Sequence, residues 1–107
     1  MFDQEGLRLR IYLNENSRFA GLPLHEWIIK EALRHEIAGA TLIRGVEGFG
    51  CHKHTHSIKL LSLSDELPVI LEIIDSPAKV ERFVSAISSC VKDGMMTAET
   101  VRLKLFN

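Results

Sequence analysis

What this 107-residue chain lacks narrows its function more than its bulk composition does. It has no run near the ~18 apolar residues of a membrane-spanning helix, and its opening, MFDQEGLRLR, lacks the basic-then-apolar order of a signal peptide. A cytoplasmic location is therefore expected. Charge of either sign is not in excess: thirteen basic and fourteen acidic side chains leave a net charge of −1, with no bulk attraction for nucleic acid or anionic membrane. Nucleic acid is not an expected partner. Only two cysteines are present, Cys51 in a Gly/His-rich stretch and Cys90 late in an apolar helical pattern, so a structural disulfide is not expected. Cys90 reads as a small core residue. The chain carries neither a P-loop nor a dinucleotide fingerprint, no Cys-x-x-Cys pair and no nucleophile elbow, and the expectation is that it is not an enzyme. It is also too short for two cores, which makes residues 1–107 a single domain.

What is present is a clear order of elements. Leu7, Leu9, Ile11 and Leu13 alternate with Arg8, Arg10 and Tyr12, the pattern of a strand with one buried face. Pro23 stands where a helix favours its first residue, and Leu24, Trp27, Ile28, Ala32 and Ile37 recur at helical spacing up to a stop at Gly39. Ala40 to Val46 reads as a second strand. Leu67 to Ile74, LPVILEII, reads as a third that is apolar on both faces and hence central. Ser76-Pro77 caps a second helix with Val80, Phe83, Val84, Ile87 and Val91 as its buried stripe, and Gly94 ends it. The tail from Thr100 to Phe106 alternates again. The sum is βαββαβ, an α+β, ferredoxin-like fold with both helices on one face of an antiparallel sheet. The other face is expected to carry Arg8, Arg10, Tyr12, Arg102 and Lys104 beside Ile70, Glu72 and Ile74, a mixed surface suited to self-association or to solvent.

Between the second and third strands lie about twenty residues, long for a compact domain. Ile58, Leu60 and Leu63 suggest an extra strand there, which leaves Glu47 to His56 as an exposed loop. The run from Gly45 to His56, GVEGFGCHKHTH, packs three glycines, one cysteine and three histidines into twelve residues. Three chemistries are open to it. Gly48 and Gly50 around Phe49 can turn successive backbone N–H groups toward an anion, with Lys53 adding charge. Alternatively, extended backbone would place His52, His54 and His56 on one side, which with Cys51 makes a ligand set for zinc, copper or nickel. A Cys51–His52 nucleophile and base is the weakest reading, because adjacent residues in an extended segment point to opposite sides.

The run VEGFGCHKHTHSIKL followed by LPVILEIID resembles the P-II signal-transduction superfamily, in which Gly-Phe-Gly opens the long T-loop of a trimeric ferredoxin-like protein. It is most similar to the branch designated domain of unknown function 190, on Arg44 to Gly50, His54-Thr55, Leu63 to Pro68 and Glu72 to Asp75. The resemblance implies a homotrimer that senses a small anionic ligand, an adenine nucleotide (ATP, ADP or AMP), and controls a membrane transporter, a channel or an enzyme through the loop. No cofactor is required. It implies that Gly48, Phe49 and Gly50 form the wall at the loop base and that Gly94 lies in a second phosphate-binding turn. Arg102 and Lys104 would be the basic pair by which a neighbouring subunit holds phosphates. Cys51-His52 replaces the family's Arg-Gln, so a response to 2-oxoglutarate is not expected. The alternative implied by likeness is a trimer similar to the CutA divalent-metal proteins, with Cys51, His52, His54 and His56 as ligands.

Overall fold

The computed structural model describes residues 1–48 and 67–106. In chain order these form β1 (Gln4–Asn14), a short hairpin of β2 (Arg18–Phe19) and β3 (Leu22–Pro23), α1 (Leu24–Arg34), β4 (Gly39–Arg44), β5 (Pro68–Asp75), α2 (Pro77–Ile87) with a 3₁₀ turn at Ser88–Cys90, and β6 (Met95–Leu103). The main sheet runs β4-β5-β1-β6 and all its pairs are antiparallel. With the hairpin set aside this is the βαββαβ order, and β5 is interior as its two apolar faces require. No helix among the described residues is long and apolar enough to cross a membrane.

The alternation of β1 decides the rest. Leu9, Ile11 and Leu13 point to the helices and are buried, and register sets Ile73, Leu71 and Val69 of β5 beside them. α1 adds Leu24, Ile28 and Ala32, and α2 adds Val80, Phe83 and Ile87, so both helices cover the same face. On the far face Arg8 pairs with Glu99 at 2.6 Å and Arg10 with Glu72 at 3.0 Å, among Tyr12, Ile70 and Ile74. Between β2 and β3, Ala20 and Gly21 both take positive φ, 54° and 81°, the geometry of a two-residue hairpin turn. Phe19 of that hairpin meets the Trp27 ring edge-on at 4.7 Å and so fastens it to α1.

Several boundaries differ from those read in the sequence, each for a local reason. α1 stops at Arg34, well short of Gly39, in a Schellman closure: the N–H of Ile37 donates to the Ala32 carbonyl and that of Glu36 to Leu33, both at 3.0 Å. Glu36 supplies the left-handed residue, φ 57°, and Gly39 opens β4 instead. β6 begins at Met95, five residues before the expected start, because pairing with β1 overrides the weak alternation of MMTAET. That pairing also corrects the expected face of Arg102. It lies opposite Glu5 and so shares parity with Leu7 and Leu9, while Val101 and Leu103 join Arg8 and Arg10. Lys104 follows the end of the strand. Ser76 holds the N-cap position of α2 without a side-chain cap, and Cys90 is half-exposed in the 3₁₀ turn, outside the core.

Asp75, 7% exposed, ties three elements together. Its carboxylate accepts the N–H of Ala38 at 2.8 Å and that of Ser76 at 2.6 Å, and the Lys79 ammonium lies 3.3 Å away while donating to the Glu36 carbonyl at 2.6 Å. Burial pushes this carboxyl up, but the two amides and the ammonium outweigh it and hold the carboxyl below the ordinary carboxylate range. A depressed folded-state pKa adds stability above the unfolded value near ~3.9, lost as pH falls through the folded value. Asp75→Asn is expected to cost about 2 kcal/mol at pH 7 in urea unfolding, with the gap from wild type shrinking below about pH 4. Glu36→Gly, which relieves a left-handed non-glycine residue, is expected to raise the unfolding free energy by up to about 1 kcal/mol in the same measurement.

Candidate ligand site at one end of the sheet

The C-terminal ends of β1 and β4 and the N-terminal ends of β5 and β6 meet at one end of the sheet, where residues 49–66 leave and return. Backbones crowd there. The Gly45 N–H donates to the Pro68 carbonyl at 2.8 Å, and a Cβ on Gly45 would stand 2.8 Å from the Pro68 ring. Gly94 faces a harder limit, since a Cβ would lie 2.9 Å from the Tyr12 carbonyl oxygen and 3.0 Å from Leu13. Glycine at 94 therefore lets the turn after α2 run directly over the end of β1.

Of the residues expected to bind ligand, the structure brings Gly48 and Gly94 to this same end, Gly48 beside Pro68 of β5 and Gly94 over the end of β1. Phe49, Gly50 and Lys53 lie outside the described residues, as do Cys51, His52, His54 and His56 of the metal alternative and the extra strand expected around Ile58. Among the described residues no group of three His, Cys, Asp or Glu is placed to hold a metal ion. Arg102 and Lys104 stand at the opposite end. Arg102 is seven residues along β6 from Met95, roughly 24 Å at ~3.4 Å per residue. Its Nε donates to the Phe2 carbonyl at 3.0 Å, and it lines a shallow open cleft of about 250 Å³ that also holds Asp3 and Glu5. Two carboxylates against one guanidinium make that cleft, in a single chain, a poor phosphate site. The Lys104 ammonium sits 5.6 Å from the Phe106 ring centre.

At the Gly48 end lies a polar cluster of which only Arg44 falls within a motif. Glu15, just past β1, donates its backbone N–H to the Leu67 carbonyl at 3.0 Å, and its carboxylate is ion-paired with Arg44 at the end of β4. His25, in the first turn of α1, is buried within electrostatic reach of both. Burial pushes its imidazole down and Arg44 pushes it further, against opposition from Glu15 and Glu26, so it stays neutral at pH 7. The only sequence-level signal was a histidine directly after an apolar helix position.

Gly94→Ala is expected to destabilise the fold by about 1–3 kcal/mol, because β6 must shift off β1 to admit the methyl; thermal or urea unfolding checks it.

The geometry has close counterparts in known proteins. CPII from Thiomonas intermedia K12, solved with ADP, AMP and acetate, superposes with a TM-score of 0.67 at 13% identity, covering 95% of this chain and 91% of that one. A PII-like signaling protein from Thermus thermophilus gives 0.60 at 16% identity, covering 92% and 88%. At that distance the likeness is one of fold. In sequence, a UPF0166 protein of Aquifex aeolicus is 35% identical over 89% of this chain and 90% of its own length. A UPF0166 protein of Methanocaldococcus jannaschii is 32% identical over 79% and 78%. The profile of the family DUF190, uncharacterized ACR, matches residues 6–103. The chain thus belongs to the DUF190 family and has the fold of the PII-like proteins.

Proposed function

We propose that this protein is a non-enzymatic, homotrimeric PII-like regulator that senses a small anionic ligand, an adenine nucleotide first among them. It passes the ligand state to a transporter, channel or enzyme through the loop from Glu47 to His56, in the cytoplasm. The carrying observation is the separation of Gly48 and Gly94 from Arg102 and Lys104 within one chain. A phosphate can meet both sets only where the end of one copy abuts the opposite end of another, so a ligand site of this composition belongs between subunits. The nucleotides held by CPII support the ligand class.

The far face of the sheet supports association between copies. Its arginines are already neutralised by Glu99 and Glu72, and it leaves Ile43 and Met95 more than two-fifths exposed, at 43% and 46%. A face whose charges are paired internally can be covered by an apolar neighbour at a low desolvation cost. Sedimentation of the purified protein tests the trimer.

Calorimetric titration of metal-free protein with ATP, ADP and AMP tests the ligand. Stoichiometric micromolar binding is expected for at least one of them, and Arg102→Ala should weaken it about 10- to 100-fold, the loss of one charge-assisted contact. Unchanged affinity in that variant would remove Arg102 from the site. No heat with any nucleotide, together with zinc uptake that disappears in the His52→Ala, His54→Ala double variant, would replace this reading with the metal-binding one.

A further inference from the structure

We propose that copies of this chain meet end to end, with Phe2 and Phe106 at the Arg102 end of one copy seated on an apolar row at the Gly48 end of the next. The inference rests on the association between copies proposed above and names the contact that makes it.

Strand register builds the row. On the face of the sheet away from the helices, Ile43 lies opposite Ile70, Ile70 opposite Tyr12 and Tyr12 opposite Met95, so β4, β5, β1 and β6 each give one apolar or aromatic residue to a single line. At ~4.8 Å between strands the line is about 14 Å long. Its outer members, Ile43 and Met95, are the exposed ones. The next line toward the middle, Thr41, Glu72, Arg10 and Thr97, is polar and closed on itself by the Arg10–Glu72 pair. The face is therefore banded, and the apolar band that crosses all four strands lies at its Gly48 end.

A second copy is the occupant because the chain holds two aromatic rings that its own fold keeps away from the row. Phe2 is 51% exposed and Phe106 85%, just outside β1 and β6, whose pairing at that end closes on Gln4 and Leu103. Leu103 lies eight residues along β6 from Met95, roughly 27 Å at ~3.4 Å per residue, a distance that the few residues beyond either strand cannot span back. Neither ring reaches the row of its own copy. The row suits them, since Tyr12 offers an aromatic ring and Met95 a thioether, both favourable neighbours of phenylalanine. Each buried ring takes ~150–250 Å² out of water. Two rings and the surface they cover approach the ~1,000 Å² of a specific interface. Charge agrees in sign: Lys104, whose ammonium lies 5.6 Å from the Phe106 ring centre, and Glu47, three residues past the end of β4, have no ion pair among the described residues, and this contact brings them to one end.

Such a contact is heterologous: it joins two different patches and leaves any open string of copies with one free row and one free pair of rings. Growth stops when the ring of copies closes, and closure at three gives the trimer. The same approach carries Arg102 and Lys104 to Gly48 and Gly94 of the neighbouring copy, as a ligand site shared between subunits requires.

Phe106→p-benzoyl-phenylalanine keeps a ring at this position and marks what it touches: the whole chain is irradiated and the cross-link located by mass spectrometry, beside sedimentation of the unmodified protein. Cross-links between copies to Met95 or to β4 near Ile43 are expected. An oligomer whose cross-links fall elsewhere, on the helices, on residues 49–66 or on the Phe2 and Phe106 end of another copy, overturns this contact and leaves association standing. Unmodified protein that sediments as a monomer overturns both. Phe2→Asp combined with Phe106→Asp, two exposed positions outside the strands, should keep the far-ultraviolet circular dichroism of the wild type and weaken association about 100-fold or more. An unchanged oligomer in that variant would sink the idea, and should the variant fail to fold, the position of the cross-link decides alone.

Discussion

The register of β1 against its two neighbours is the constraint on which everything else hangs. Because side chains alternate, a slip of one residue would turn Leu9, Ile11 and Leu13 out to solvent and drive Arg8 and Arg10 into the helices. With that slip forbidden, β5 and β6 are each locked to β1. The lock places Asp75 beside Leu7 at one end and Val69 beside Leu13 at the other, and it fixes Arg102 across from Glu5. A basic residue expected in the outward stripe is thereby placed on the other face, at the end of the sheet opposite Gly48 and Gly94.

The two ends of the sheet are consequently different in kind. One is a mechanical joint: Asp75 gathers the start of α2, the link between α1 and β4, and Lys79, and it does so with a buried charge fully supplied with donors. The opposite end is a crossing of backbones under steric limit, where Gly45 and Gly94 admit contacts no other residue would and where Glu15 is paired with Arg44.

Much of this could be read from the residues. The alternation of β1, the two-sided apolar run of β5 and the Val80, Phe83, Ile87 spacing of α2 each obey one period cleanly, and their elements sit where expected. Element ends were less legible. Gly39 looked like the helix stop, but the closure uses Glu36, whose left-handed backbone carries no residue signature. MMTAET hid the first half of β6 because threonine, alanine and glutamate show no face until a partner strand imposes one. The site divided the same way. Glycines announce themselves, whereas Arg44 and Glu15 are 29 residues apart and only the folded sheet makes them neighbours. The resemblance to PII proteins captured fold and family from motifs that lie largely in the connection, and it assigned no role to this cluster.

The packing of Phe19 against Trp27 has an optical consequence. The chain contains a single tryptophan, and that ring sits on α1 two residues from His25, edge-on to a hairpin and outside the central cluster. Its emission is therefore a local gauge of the hairpin end of the domain. Fluorescence and far-ultraviolet circular dichroism would coincide only if that end melts together with the sheet, so the gap between the two signals measures how independently it comes loose.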